Sequence, residues 1–312
     1  MARARVPQLA LAPALLALAA CAGSSAPGRA VPEPPRPLPE SPAEGLIPGS
    51  RTVAFEYGAG SSQYRIASIA VVTLSADSIA SATDSVQVTA TAMIAISAGD
   101  FARAVAGTIY DSSLDEGSLI RQPGPVSRTT QPATVSFVGE LTPGRTTLGI
   151  APETGEPGEV GGGEACDAAS ASAWTLVGLV RDALPPIPDS VYVGAMWRDS
   201  VAIPLCRSDV HMVMSARHEY HLVELREDGD TTVALIRRQT MSRVDGAGTQ
   251  SRLPVTVAGI GLGSSELQVD LTHGRVIAHD VQSTLSLQHT AGERVVNLQQ
   301  ESTVTIRLDG LD

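Results

Sequence analysis

Residues Ser264 to Leu308 read SSELQVDLTHGRVIAHDVQSTLSLQHTAGERVVNLQQESTVTIRL. Apolar and polar residues alternate through this stretch with period two, the pattern of strands that bury one face. Leu267, Val269 and Leu271 take one side of a first strand, and Thr272-His273-Gly274 turns the chain. Ile277, Val281, Leu285 and Leu287 take one side of a second, and Ala291-Gly292-Glu293 turns the chain again. Val296, Leu298, Val304, Ile306 and Leu308 line a third. The stretch is an antiparallel meander, and the rest of the chain extends it.

Working backwards, Glu227-Asp228-Gly229-Asp230 is a hairpin signal between two strand-like runs. Gly259, Gly261 and Gly263 are followed by a strand and not a helix, so they predict a glycine-rich bend and no dinucleotide fingerprint. A first β region covers residues 51–150. Tyr64, Ile66, Ala70, Val72 and Leu74 share one face there, as do Val86, Val88, Ala90, Ala92, Ile94 and Ile96. Residues 111–133 read as a long loop, and Val135, Phe137 and Leu141 resume a strand. Residues 151–166 are a Gly-rich acidic linker. Residues 167–184 form the helix of the sequence, capped by Asp167 and stopped by Pro185-Pro186. Trp174, Val177, Val180 and Leu184 make its apolar stripe, widened by Leu176 and Leu179. The fold class is therefore mainly β. The expected architecture is a curved antiparallel sheet or half-barrel, with two similar halves suggested by the two β regions and one amphipathic helix as cover. In domain terms, residues 167–312 join that helix to the second β region.

The N-terminus gives an address. Arg3 and Arg5 precede a short apolar stretch, Leu9 to Ala20, which falls short of the roughly 20 residues a membrane span needs. It closes with Leu18-Ala19-Ala20-Cys21, which resembles the bacterial lipoprotein signal. That resemblance implies a signal peptide over residues 1–20, lipidation of Cys21 and a lipid-anchored protein of the cell envelope. Because Ala22 follows the Cys instead of Asp, it also implies an outer membrane location facing the periplasm. Residues 21–50 hold the Cys and a tether, with eight Pro among the 29 residues 22–50.

Composition narrows the function classes. The net charge is -11 and every one of the 22 basic residues is Arg. Such a chain is a poor electrostatic match for nucleic acid. Aromatics are 3% of the chain, so the core rests on Val, Leu, Ile and Ala. No Gly-x-Ser-x-Gly elbow occurs, and no carboxylate pair is singled out by its setting. The expectation is a non-enzymatic protein without cofactor or metal. His211, His218 and His221 form the densest histidine cluster, but odd spacings put His218 on the opposite strand face from the other two. His279 and His289 fall on the apolar face with Ile277 and Leu285, as hydrogen-bonded core histidines or cavity lining. Cys166 and Cys206 are a candidate disulfide, closing a loop of about 40 residues that would add roughly 4 kcal/mol, with two free thiols as the alternative.

A Cys21 anchor, a spacer, period-two strands and a covering helix together resemble the LolA/LppX-like envelope lipoproteins. The run from Leu184-Pro185-Pro186-Ile187-Pro188 to Val193-Gly194-Ala195-Met196-Trp197 also resembles envelope lipoproteins in which a Pro-rich exit precedes a Gly-x-x-Trp strand. The resemblance implies a half-barrel holding an apolar or lipid ligand between sheet and helix, lined here by Trp174, Val177, Val180, Leu184, Ile277, His279 and Leu285. The alternative is a structural or interaction lipoprotein with a filled core.

Overall fold

The computed structural model describes residues 51–76, 79–99, 102–117, 134–151, 176–207, 210–250 and 252–310. Eleven strands form one antiparallel sheet: β2 (Gly60–Ala76), β3 (Ile79–Ile96), β4 (Arg103–Gly117), β5 (Val135–Thr142), β6 (Arg145–Ile150), β8 (Met196–Arg207), β9 (Val210–Asp228), β10 (Thr231–Gln250), β11 (Leu253–Asp270), β12 (Arg275–Ala291) and β13 (Arg294–Leu308). A small second sheet pairs β1 (Thr52–Ala54) with β7 (Ser190–Tyr192).

The strand order is β6-β5-β4-β3-β2-β13-β12-β11-β10-β9-β8. Each neighbouring pair is a sequential hairpin except β2 with β13, where Ile66 faces Ile306. The sheet is thus an up-and-down barrel left open in mid-chain, between β6 and β8. The two β regions of the sequence are not separate sheets but the two arms of this one. The turn chemistry matches the sequence: Gly229, Gly274 and Gly292 all have φ near 60° (60°, 63° and 60°), the left-handed geometry glycine adopts without cost.

Three expectations are corrected. Residues 111–117 belong to β4 rather than to a loop, because Leu114 and its neighbours pair with Val88 and the start of β3; backbone ladders need no apolar side chains. Gly259, Gly261 and Gly263 lie inside β11 and not at a bend. All three sit on the inner face, where a Cβ on Gly259 would come 2.3 Å from Leu287 Cδ2 and one on Gly261 2.4 Å from Ser242 Oγ. Neighbouring leucines lean across the bare backbone, and the sheet curves. Finally, a β-bulge at Ile277 shifts the register of β12. Val276, fully buried, takes the inner place before the bulge and His279 the one after it, so Ile277 is half-buried and outside the core cluster.

The helix also differs from expectation. Residues 176–181 are helical, the expected residues 167–175 lie outside the described residues, and the chain then turns at 182–184 and passes through 185–188 without regular structure. Val177, Val180 and Leu184 are buried as their stripe predicted, with Leu176 and Leu179 that widen it, and Gly178 on the remaining side is buried as well. The described part of the helix, buried on all sides, is no amphipathic lid. Together with the run that follows it forms a plug inside the half-barrel. Trp174, Cys21 and Cys166 lie outside the described residues. Cys206 is in β8, paired in register with His211.

Candidate functional site

The interior is layered, and the register gives the layers. Toward the β1 end, Leu222, Ile236, Leu267, His279, Ile306 and Ile66 stand level on successive strands. The next layer is mixed, with Trp197, Tyr220, Arg238 and Ser265 level with Val281 and Val304, and the one after it is polar or small: Asp199, His218, Thr240, Gly263, Ser283 and Ser302. Beyond them Ile203, Met214, Val244, Leu287 and Leu298 restore an apolar layer. A polar belt therefore crosses the middle of an apolar barrel.

The plug meets this belt. Buried main chain needs partners for every N–H and C=O. Pro185, Pro186 and Pro188 remove three N–H donors, so the segment presents mainly acceptors. Those acceptors are met almost one by one. Leu184 O accepts from Thr146 Oγ1 at 2.8 Å, Pro185 O from the Tyr57 hydroxyl, Pro186 O from Trp197 Nε1 at 2.7 Å and Ile187 O from Gly144 N at 2.9 Å. Asp182 O accepts from His279 Nδ1 at 2.7 Å. A carbonyl only accepts, so that nitrogen carries the proton, and in the neutral ring Nε2 accepts from the Ser265 hydroxyl at 2.9 Å. The Pro-rich exit seen in the sequence is thus a segment suited to burial.

Two ion pairs fasten the same segment. Arg238 Nη1 donates to Asp182 Oδ1 at 2.6 Å, with both side chains less than a tenth exposed, and Arg181 Nη2 donates to Asp199 Oδ2 at 2.6 Å. Burial alone would raise the Asp182 carboxyl, but the Arg238 guanidinium outweighs it and holds it below its usual range. Burial would likewise lower Arg238, and Asp182 raises it instead. Burial, reinforced by the Arg238 charge, lowers His279 to about 4 and His218 to about 3, so both rings are neutral at pH 7. The Trp197 and Tyr220 rings stack with centroids 5.4 Å apart beside this network.

The space left between plug and sheet is small. A cavity of about 40 Å³ lies among Asp182, Pro186, His218, Arg238, Thr240, Ser283 and Leu285. It has room for a water molecule or so, beside the Arg238 Nε that has no hydrogen-bond partner among the described residues. Of the expected lining residues, Leu285 borders it. Leu184 instead borders a depression of about 230 Å³ at the β1 end, with Tyr57, Tyr64 and His273. His279 is a hydrogen-bonded core residue, and Val177 and Val180 are packed in the core. His211 and His221 point outward and His218 inward, and among the described residues no three His, Cys, Asp or Glu side chains converge as a metal site.

The larger opening is at the seam. The plug bridges β6 and β8 at one end through Thr146 and Trp197, and beyond it the two sheet edges bound a groove of about 790 Å³. Arg145, Thr147 and Leu148 of β6, Val138 of β5, Ser200 and Val201 of β8, Arg217 of β9 and Met241 and Arg243 of β10 line it, with Arg181 and Asp199. No sign of this groove is legible in the sequence, because its walls come from residues far apart in the chain.

These features define an open antiparallel barrel with a segment of its own chain packed inside it. No protein-family model matches the chain, and no curated protein is similar to it.

Proposed function

We propose that this chain is a lipid-anchored interaction protein of the bacterial cell envelope, without enzymatic activity and with a filled core. The observation that carries the reading is a cavity of only about 40 Å³ between Asp182, Pro186 and Arg238, beside a plug held by hydrogen bonds at four successive carbonyls. Ligand pockets for small molecules usually enclose about 300–1,000 Å³. An acyl chain between sheet and helix would have to displace the plug and leave Asp182, Arg238 and those carbonyls without partners. The address rests on Leu18-Ala19-Ala20-Cys21 and the tether that follows.

Mass spectrometry of lipids released from the purified protein tests the filled core. No stoichiometric lipid is expected, and one lipid per chain would restore the carrier reading. Cys21→Ser should move the protein from the membrane to the soluble fraction on cell fractionation. Membrane retention of that variant would refute the anchor.

A further inference from the structure

We propose that the seam between β6 and β8 accepts an extended acidic segment of a partner protein as an added strand. The proposal rests on the reading of the chain as an interaction protein and names the partner's chemistry. Among the described residues β6 and β8 end the sheet, so 147–150 and 200–203 have ladder partners on one side only, in β5 and β9. A strand laid against such an edge gains main-chain hydrogen bonds, and side pockets then set its sequence. The groove of about 790 Å³ lies between these two edges.

Charge chooses the occupant. Arg145 and Arg217 stand on the two walls, both exposed, and neither has a carboxylate partner among the described residues. The other guanidiniums at the groove, Arg181 and Arg243, are held by Asp199 and Asp245. In a chain of net charge -11, two arginines facing one groove without a carboxylate partner among the described residues form a local positive site that steers an acidic chain inward. The exposed Val138 and Met241 beside them suit apolar residues alternating with the acidic ones. An anionic lipid fits less well. It carries charge at one end, whereas the arginines stand on both walls, and its tail needs an enclosure this groove does not give.

The test uses the full chain and a fluorescently labelled peptide that alternates Glu and Val. Saturable, salt-sensitive binding is expected, with slowed hydrogen exchange at amides of β6 and β8. The same peptide with Lys for Glu should not bind. Arg145→Glu with Arg217→Glu should weaken the Glu peptide at least about tenfold while leaving the thermal midpoint in place. Should that variant misfold, the exchange pattern on the unaltered chain decides. No saturable binding, binding without protection at β6 and β8, or binding indifferent to the charge reversal would overturn the proposal. So would phosphatidylglycerol vesicles that bind through the same arginines while the peptide does not. A lipid found in the core would refute the filled-core reading without touching this result.

Discussion

The two arms of the sheet do different work. The arm from β2 to β6 turns an almost wholly apolar face inward, with Tyr64, Ile66, Ala92, Ile94, Ile109 and Phe137 buried. The arm from β8 to β13 supplies most of the buried polar chemistry. Of the nine buried polar residues described, Thr146 alone lies in the first arm, and Asp182 lies in the plug. The first arm is therefore mainly a wall that excludes water, touching the plug's carbonyls at Gly144 and Thr146, while the second holds the plug's charged groups through Asp199 and Arg238 and is the stronger clamp. Apolar burial is non-directional and tolerates sliding. Hydrogen bonds and ion pairs specify position, and leaving one half-made is expensive.

The sharpest test of that division is Asp182→Ala. It strands the buried Arg238 cation, and about 3–5 kcal/mol of stability should go. Ile94→Val, a purely apolar change in the first arm, should cost about 0.5–1.5 kcal/mol. Urea unfolding measures both, and equal losses would end the distinction between wall and clamp.

Acid should then act on the second arm. The histidines ordinarily titrate near 6.5. In the folded chain His279 resists protonation down to about 4 and His218 down to about 3, so below pH 6.5 the unfolded chain binds more protons. Stability is intact above pH 6.5 and falls as the pH drops toward 4, by about 1.4 kcal/mol per pH unit for each ring. Asp182, held below its usual range, adds a loss of the same sign at lower pH. Replacing both histidines by Gln should flatten most of the slope between pH 6.5 and 4. A slope unchanged in that variant would place the acid sensitivity elsewhere.

Both arms use glycine under a large side chain, which gives a finer comparison. Gly107 lies beneath Phe137, with a Cβ due 2.4 Å from the ring, and Gly261 lies against Ser242 and Leu285. Gly261→Val should cost about 1–3 kcal/mol by overpacking, seen as a lower urea midpoint with an unchanged slope. An effect as small as that of Ile94→Val should come from Thr146→Val, which removes one hydrogen bond from the first arm to Leu184 O and should cost about 1 kcal/mol. A loss as large as that of Asp182→Ala would make the first arm a clamp as well.

Much of the fold was legible because period two survives in every long strand of the second arm. Val210, Met212, Met214 and Ala216 bury one face of β9 while the residues between stay exposed, and the hairpin at Gly229 carries its own turn residue. The bulge at Ile277 was not legible, since alternation continues through it in sequence and only the pairing with β11 reveals the shift. The plug was half legible. Its apolar residues were plain, but Pro185 and Pro186 signalled only a helix stop, because the donors that meet their carbonyls come from Tyr57 and Trp197. The seam was invisible for the same reason: Arg145 and Arg217 belong together only once the sheet is rolled.

The pairing of β2 with β13 also sets the order of assembly. Every other ladder in the large sheet joins neighbours in the chain and can zip as its hairpin emerges. β2 is made early and its second ladder partner last among the strands, so one edge of β2 stays bare until Val296 to Leu308 arrive to cover it. Through that interval the nascent chain carries an open, largely apolar edge, the kind of surface that recruits other chains or chaperones. A truncation within β13 would do twice the damage of a truncation at a sheet margin, because it would bare β2 and β12 together.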